Sequence, residues 1–294
     1  FTNHMDFRSQ FLITNSSDKL NLSTTSTAMD LGMEEKELLK VLKKNRKELA
    51  ELQEKIYAER RRGVLIVFQA MDAAGKDSTI REVFTGLNPQ GTGFYSFKSP
   101  SKEELSHDFL WRCNKCLPPK GNINVFNRSH YEETLVVRVH PEYLMGQSLP
   151  DISAPTDATQ SFWDGRFEMI NDWEERMAKN GITVIKFFLN VGLDEQKNRF
   201  LRRLNKPDKN WKFNFGDLKE RALWGDYMSA YADMIPKTST SKAPWYVIPA
   251  DDKPTMRMVI SEIVKDTLKD MNPEYPKASA DFELEKIEAL RILG

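Results

Sequence analysis

Cysteine and histidine are scarce in this 294-residue chain, which has two of the former and four of the latter. Two cysteines cannot form a disulfide framework, and such low cysteine usage is typical of a reducing compartment. Cys113 and Cys116 form a lone C-x-x-C pair with no second ligand pair, so we expect ordinary thiols and not a zinc or redox site.

The chain also lacks long apolar runs and an excess of either charge. No run approaches the roughly 20 residues of a membrane-spanning helix, and no basic-then-apolar signal stands near the first residue. The 43 Lys and Arg balance 43 Asp and Glu, so nothing draws the whole chain to nucleic acid or a membrane. We therefore expect a cytoplasmic protein whose anion binding comes from local clusters.

The most informative stretch covers residues 64–79. It begins with five consecutive apolar residues, as a strand buried on both faces does. It then passes through small residues to Gly75 and Lys76 and ends in helical spacing. This order is typical of a phosphate-binding P-loop, where backbone N–H groups and a lysine face one anion. We predict phosphate or nucleotide contacts from Ala73, Ala74, Gly75, Lys76, Asp77 and Ser78.

The match to the usual pattern, G-x-x-x-x-G-K-[ST], is imperfect. Ala70 stands where the first Gly belongs, and Asp77 stands where a magnesium-binding hydroxyl belongs. A carboxylate inside the loop, Asp72, favours a cation between protein and phosphate, so we interpret it as a ligand of Mg²⁺, for which Mn²⁺ could substitute. The alternative is a simple strand-to-helix turn, with Gly75 as its turn residue.

A second candidate site follows the predicted strand 122–127. In a P-loop fold this strand usually ends in an Asp that holds Mg²⁺ through water, but here the residue is the neutral Asn127. Arg128 follows at the sheet edge where ligands bind, which favours a phosphate contact over a surface salt bridge. Glu132 and Glu133 come one helical turn later, and at least one of them could supply the missing carboxylate.

A basic segment lies between residues 197 and 212, where seven Lys or Arg accompany a single acid, Asp208. Helix, basic loop and helix after a buried strand is typical of the mobile lid of P-loop kinases, which covers the transferring phosphates and excludes water. We therefore predict a lid at about 194–234. The alternative is a solvated basic surface.

The rest of the chain predicts one α/β domain. Five strand candidates alternate with helices, which indicates a parallel sheet with helices on both faces, and the prolines around 243–249 favour an edge position for that strand. Residues 1–32 are expected to be an arm, either disordered or lying on a neighbour, with 1–4 an expression remnant. The domain would cover 33–294. Its amphipathic helix at 33–62 favours packing on the domain surface over an oligomer contact.

Six motifs, in order, carry a resemblance to a known family. They occupy residues 71–77, 88–91, 107–112, 126–132, 211–213 and 243–251, and together they resemble the polyphosphate kinase 2 family. The stretch FNRSHYE at 126–132 resembles its class III branch, which accepts both nucleoside monophosphates and diphosphates. The resemblance implies a thymidylate-kinase-like P-loop fold with a lid, and an oligomer, either a dimer or a tetramer. It also implies reversible, Mg²⁺-dependent phosphoryl transfer between inorganic polyphosphate and nucleotides such as AMP and ADP.

The resemblance and the residues together give a set of expected roles. Catalytic roles fall to Asp72, Lys76 and Arg128, further phosphate or nucleotide contacts to Asn127, Glu132, Arg199 and Arg203, polyphosphate binding to Lys76, Arg128, Lys206, Lys209 and Lys212, and metal binding to Asp72 and Glu133. Two alternatives stay open. One is an ATP-dependent nucleotide or small-molecule kinase on the same fold. The other is a nucleotide- or polyanion-binding protein without turnover, with Asn127 as a lost metal ligand.

Overall fold

The computed structural model describes residues 6–16 and 20–294, so the predicted remnant at 1–4 lies outside the described residues. One sheet organises them. Its strands are β1 (Leu12–Ile13), β2 (Gly63–Ala70), β3 (Thr92–Ser96), β4 (Ile123–Asn127), β5 (Ile182–Asn190) and β6 (Trp245–Pro249). Their order across the sheet is β1-β6-β5-β2-β4-β3.

The prediction of five parallel strands is correct for β2 to β6, which all pair in parallel. The strand count is wrong by one, because β1 adds a sixth, antiparallel strand beside β6. A two-residue strand is too short to show a period-2 pattern, so the sequence could not indicate it. Because β1 lies outside β6, the prediction from its prolines that β6 forms the sheet edge is wrong.

The longer helices pack in two groups: in one, α11 contacts α2 and α3, and in the other, α10 contacts α6 and α7. The α-helices are α1 (Phe7–Phe11), α2 (Glu35–Glu59), α3 (Lys76–Val83), α4 (Lys102–Leu105), α5 (Trp111–Asn114), α6 (Val136–Val139), α7 (Gln160–Lys179), α8 (Leu193–Asn205), α9 (Phe215–Ala222), α10 (Trp224–Thr238), α11 (Lys253–Asp270) and α12 (Ala280–Leu293). Short 3₁₀ segments at Pro89–Gly91, His130–Thr134, Pro141–Gln147, Pro155–Asp157 and Pro207–Lys212 complete the fold.

In its described part, the N-terminal segment packs on its own chain, whereas composition suggested an arm that is either disordered or lying on a neighbour. Phe7 and Phe11 are buried in the core with their ring centroids 6.2 Å apart, and α1 contacts α11 and β6 of the same chain. Thr27 donates from Oγ1 to the Asp251 carboxylate at 2.7 Å. Two buried aromatics are enough apolar surface to hold a short segment on the domain. The boundary at residue 32 stays a prediction.

Helix α2 buries the apolar stripe that its sequence shows. Leu38, Leu42, Leu49 and Ile56 are buried, and α2 packs along α11. The polar member of the stripe, Asn45, is also buried and donates from Nδ2 to Ser261 Oγ of α11 at 2.8 Å. The stripe therefore packs within this chain, as predicted.

Strand β2 places the predicted P-loop at the carboxyl edge of the sheet. All eight of its residues are buried, and it pairs with β4 on one side and β5 on the other. A strand held on both edges and both faces gives the loop that follows a rigid base. Among the described residues, no helix has both the length and the apolar character that crossing a membrane requires.

Candidate functional site

A cleft of about 950 Å³ lies at the carboxyl ends of the parallel strands. Ligands bind at this edge in open α/β sheets. Of the side chains around it, eleven are Lys or Arg and two are Asp. The cationic ones are Lys76, Arg81, Lys98, Arg128, Arg199, Arg202, Arg203, Lys209, Lys212, Lys253 and Arg257, and the acidic ones are Asp72 and Asp77. In a chain of zero net charge, this concentration suits a polyanionic ligand.

The loop between β2 and α3 has the backbone of an anion-binding turn. Ala73 and Gly75 both have positive φ, at 61° and 106°, and left-handed residues in a turn can bring backbone N–H groups together around an anion. The Ala74 N–H between them donates to Met71 O at 3.2 Å, so the free N–H groups of this turn are those of Ala73 and Gly75. A side chain at Gly75 would be strained by this φ and would also contact Lys253. Strand, loop and helix therefore occur as predicted, and the binding of phosphate to them is proposed below.

The first turn of α8 and the residues after it hold this loop from outside. Gln196 donates to Asp72 O at 2.9 Å, and Arg199 Nη1 donates to Ala74 O at 2.6 Å and Ala73 O at 3.1 Å. In a trans peptide the C=O and N–H groups point in opposite directions. The N–H groups of Ala73 and Gly75 therefore point away from α8, as an anion cradle requires.

Arg199 uses all five of its N–H donors inside the protein. Its Nη2 donates to Ala250 O at 2.6 Å and Asp251 O at 3.0 Å, and its Nε donates to Glu195 at 2.7 Å. With the two bonds to the loop, the guanidinium is saturated. Arg199 thus reaches the cleft as predicted, but it joins the loop to the end of β6.

Lys76 is one of two buried cations of the site, with Arg199. Its Nζ donates to Ala70 O at 2.8 Å, and burial together with the charge of Arg128 lowers its pKa to about 8. An anion bound at this loop would stabilise the charged form of Lys76, whose pKa is lowered in its absence. Ser78, in the same helix turn, donates to Gly75 O at 3.0 Å.

Arg128 connects the two predicted motifs. Its backbone is left-handed, with φ at 63°, and this turns the side chain of the residue after β4 toward the loop. Its Nη2 donates to Asp72 at 2.9 Å and its Nη1 to Glu132 at 3.2 Å. The negative charges of Glu132 and Asp72 raise the pKa of Arg128 above its usual range. Asp72, Arg128 and Glu132 therefore meet, although their sequence separation reaches 60 residues.

Two acids line the cleft, and they suit a divalent cation that phosphates help to bind. Asp72 follows β2, and Asp77 lies in the first turn of α3, where its carboxylate accepts from the Asn127 amide. No group of three or more His, Cys, Asp or Glu able to hold a metal occurs in 6–16 and 20–294. One or two carboxylates are the usual protein share of a Mg²⁺ site that includes substrate phosphates.

Glu133, the second predicted metal ligand, is not brought together with Asp72. Its carboxylate accepts from Gln147 at 2.7 Å and pairs with Arg166 at 3.5 Å and with Arg112 at 4.0 Å. It is buried outside the cleft, and burial raises its pKa. The helical turn after Arg128 directs Glu132 toward the arginine and Glu133 into the core.

The basic segment after β5 contributes some of its residues and not others. Arg203, Lys209 and Lys212 line the cleft, whereas Lys206 does not. Arg203 also pairs with Asp217 of α9 at 3.3 Å. The segment consists of α8, the 3₁₀ turn Pro207–Lys212 and α9, so helix, basic loop and helix occur as predicted. Its motion as a lid stays a prediction.

Sequence reasoning missed several cleft residues. They are Arg81, Ser96, Lys98, Ser99, Lys253 and Arg257, together with Arg202 and Trp211 of the basic segment, which were given no role of their own. Two of them follow a signal that was available: Lys98 and Lys253 come soon after predicted strands, at the carboxyl edge where ligands bind. Arg81 and Arg257 project from helices, and nothing in the sequence shows which helix face is turned to the cleft.

Comparison with known proteins finds relatives over most of this chain. The family described as polyphosphate kinase 2 (PPK2) matches residues 32–276. An ADP-polyphosphate phosphotransferase of Rhodopseudomonas palustris is 45% identical over 89% of this chain and 90% of the relative. An AMP/ADP-polyphosphate phosphotransferase of Meiothermus ruber is 44% identical over 82% of this chain and 84% of the relative.

A solved structure shares the architecture. The crystal structure of polyphosphate kinase 2 from Arthrobacter aurescens TC1 superposes with a TM-score of 0.84 at 36% identity, over 96% of this chain and 97% of that one. The family match spans the P-loop, Arg128 and the basic segment together. The chain therefore belongs to the polyphosphate kinase 2 family.

Proposed function

We propose that this chain transfers phosphoryl groups from inorganic polyphosphate to nucleoside mono- and diphosphates, with a divalent cation, Mg²⁺ or Mn²⁺. The observation that carries the proposal is the cleft in which eleven cationic side chains surround a P-loop-like turn. The relative that is 45% identical to this chain is named an ADP-polyphosphate phosphotransferase, and the one that is 44% identical is named an AMP/ADP-polyphosphate phosphotransferase. Reversibility, a cytoplasmic location and a dimeric or tetrameric assembly stay predictions.

The residues support transfer by alignment and charge stabilisation. An acceptor phosphate oxygen forms a bond to the terminal phosphorus of the polymer as the bridging P–O bond breaks, and the shortened polymer leaves with the electron pair. The acceptor is already anionic, so no side chain must remove a proton. Lys76 and Arg128 hold the transferring group, and Lys209 and Lys212 hold more distant phosphates.

A divalent cation would be held by Asp72, with Asp77 as the second carboxylate on the cleft. Such a cation neutralises charge on the phosphates and orients them. The Arg128 guanidinium is paired with Asp72 and Glu132 in this structure. Binding of a polyanion gives it phosphate oxygens as further partners, so the arginine can contact substrate while it stays paired with Glu132.

The test is ³¹P NMR of the purified protein with Mg²⁺, long-chain polyphosphate and AMP, without added ATP. Growth of ADP and ATP resonances as the polymer signal falls would support polyphosphate as donor and both acceptor steps. ADP without ATP, or reaction only when ADP replaces AMP, would restrict the acceptor. Turnover only after ATP is supplied would overturn the donor assignment and favour an ATP-dependent kinase.

The loop acid and lysine provide a sharper test of the same proposal. We expect Asp72→Asn and Lys76→Ala each to lower the rate by more than about 100-fold, because the first removes the carboxylate that would hold the cation and the second removes positive charge placed against the transferring phosphate. Steady-state rates and circular dichroism spectra would be measured together. Near-normal turnover in either folded variant would contradict the assigned role. Lys206→Gln, a charge change outside the cleft, is the control.

A further inference from the structure

Two side chains outside the cleft form a chain of hydrogen bonds that ends on the loop between β2 and α3. Arg221 of α9 donates from Nη1 to Gln196 Oε1 at 2.7 Å and to Leu193 O at 2.8 Å. Gln196, in the first turn of α8, donates from Nε2 to Asp72 O at 2.9 Å. Neither Arg221 nor Gln196 lines the cleft, so neither is placed to contact a phosphate.

The two partners of the Gln196 amide permit only one orientation of it. Arg221 has donors and no acceptor, so it must face the amide oxygen, and the Asp72 carbonyl can only accept, so it must face the NH₂ group. Gln196 is fully buried. Loss of the Arg221 donor would therefore leave a buried amide oxygen without this hydrogen bond, and the amide could rotate away from Asp72.

The bond from Gln196 orients a backbone group that faces the cleft. The Asp72 carbonyl shares a peptide plane with the N–H of Ala73, and in a trans peptide the two groups point in opposite directions. Gln196 thus turns the Ala73 N–H away from α8, and Arg199 turns the Gly75 N–H in the same way through Ala74 O. The two free N–H groups of the turn are therefore set by two different side chains of α8.

Helix α9 also holds a cation of the cleft. Asp217 lies one turn before Arg221 on α9 and pairs with Arg203, a cleft residue, at 3.3 Å. Residues four apart lie on one face of a helix. One face of α9 thus supports both the loop and an arginine that faces the ligand site, and the position of this helix affects both.

We infer that Arg221 is a positioning residue for phosphoryl transfer. It fixes the amide of Gln196, and Gln196 fixes the Asp72 carbonyl and the Ala73 N–H. Loss of either link would let this part of the loop shift relative to Lys76, and the reacting groups would lose alignment. The inference rests on the proposed function, in which Asp72 holds the cation and the loop holds a phosphate.

The test is a double-mutant cycle on kcat, with polyphosphate as the varied substrate. We expect Arg221→Met and Gln196→Met each to lower kcat by roughly tenfold through misplacement of the loop. The KM for polyphosphate should stay within about twofold, because the cations of the cleft remain. The double variant should be no slower than the slower single variant, because both changes break the same chain of contacts.

Lys219→Met is the matched control. Lys219 lies on the same helix, is exposed and does not line the cleft, so the change removes the same charge without touching the chain of contacts. Its kcat should stay close to wild type. Hydrogen exchange of a peptide covering residues 70–76 gives a second measurement that needs no turnover, and it should be faster in both Gln196→Met and Arg221→Met but not in Lys219→Met.

Three results would overturn the inference. Losses that multiply in the double variant would show that Arg221 acts apart from Gln196. A raised KM with unchanged kcat would make Arg221 a direct phosphate contact, and lowered stability to urea with unchanged exchange of residues 70–76 would make its role purely structural. The cycle compares variants of one chain, so it can be run with ATP as donor if the NMR experiment rejects polyphosphate.

Discussion

Two lysines of the cleft have pKa values low enough for them to lose their charge just above neutral pH. Burial and neighbouring cations lower the pKa of both Lys76 and Lys253 to about 8. For Lys253 the cations are Arg199, Arg202 and Arg257. A bound polyanion stabilises the charged ammonium groups, so it must raise both pKa values and take up protons when it binds above pH 8.

We therefore expect affinity for tripolyphosphate, without metal, to fall as pH rises from 7 to 9. The loss approaches about tenfold per pH unit for each lysine above its free pKa, because the proton must be taken up before the charge can act. Titration calorimetry at several pH values would measure it. The affinity of Lys253→Arg should depend less steeply on pH. Because the ligand ionises in the same way with both proteins, comparing the two pH profiles removes its contribution. Identical pH profiles for the two proteins would contradict the role of Lys253.

Arg199 lines the cleft where a phosphate contact was predicted, but its hydrogen bonds indicate that it positions the loop. Its donors are all used by the carbonyls of the loop, the carbonyls after β6 and Glu195. Lysine has three donors and no planar fork, so Arg199→Lys keeps the charge and loses most of the geometry. We expect kcat to fall by roughly 10- to 100-fold through misplacement of the loop, with little change in the KM for polyphosphate.

Arg202→Lys is the control for this change, since Arg202 lies on the same helix, lines the cleft and is about half exposed. It should leave kcat close to wild type. The measurement is the separate determination of kcat and KM with polyphosphate as the varied substrate. A raised KM with unchanged kcat in Arg199→Lys would instead make Arg199 a direct phosphate ligand.

At the scale of elements, the 3₁₀ turn between α8 and α9 separates two kinds of lysine. Lys209 and Lys212 line the cleft, and Lys206 does not, although all three are exposed. Trp211 between them is 78% exposed. Lys209 and Lys212 lie three residues apart within the turn and therefore share a face. Lys206 precedes the turn with an extended backbone, at φ −113° and ψ 113°, so the 3₁₀ geometry does not place its side chain on that face.

We expect the double change Lys209→Gln and Lys212→Gln to raise the KM for long polyphosphate roughly fivefold, because each exposed charge contributes modestly. The effect should be smaller with tripolyphosphate, which has fewer phosphates to contact these lysines, and the salt dependence should become shallower. Kinetics with both donors at two ionic strengths would measure it. If Lys206→Gln has an equal effect, the segment acts through its general charge and not through a built contact.

At the scale of the whole molecule, a buried polar network joins four elements behind the site. Lys186 of β5 donates to Glu174 of α7, to Tyr131 OH at 2.7 Å and to Thr238 O of α10 at 2.7 Å. Glu174 also contacts buried His130 at 3.3 Å. His130 and Tyr131 lie between Arg128 and Glu132, so the network anchors the turn that presents both of these residues.

We expect Lys186→Met to lower the free energy of unfolding by about 3–5 kcal/mol, since it leaves Glu174 buried without its cation. The double variant Lys186→Met with Glu174→Leu should recover most of that loss, because no unpaired charge remains. Urea denaturation of the two single variants and the double variant would measure the coupling. Additive losses would show that the two side chains contribute independently.

Much of the fold could be predicted because its signals are local. The apolar run of β2, the Gly75-Lys76 pair and the helical spacing of α2 and α11 each depend on residues a few positions apart. Parallel strands bring their carboxyl ends to one edge of the sheet. It could therefore be predicted that the loop after β2, Arg128 after β4 and the basic segment after β5 lie near each other. The short strand β1 did not, because its only evidence is a partner more than 230 residues away.

The sequence by itself determined the five parallel strands, the main helices between them and their order, and it placed the residue types expected to bind phosphate at the strand ends. Tertiary structure alone decided how neighbouring residues divide that chemistry. Glu132 joins Arg128 while Glu133 pairs with Arg166 and Arg112, and Lys209 reaches the cleft while Lys206 does not. The physical reason is that nearby residues of the same type look alike in the sequence. The direction of each side chain depends on local backbone turns and on packing against distant parts of the chain.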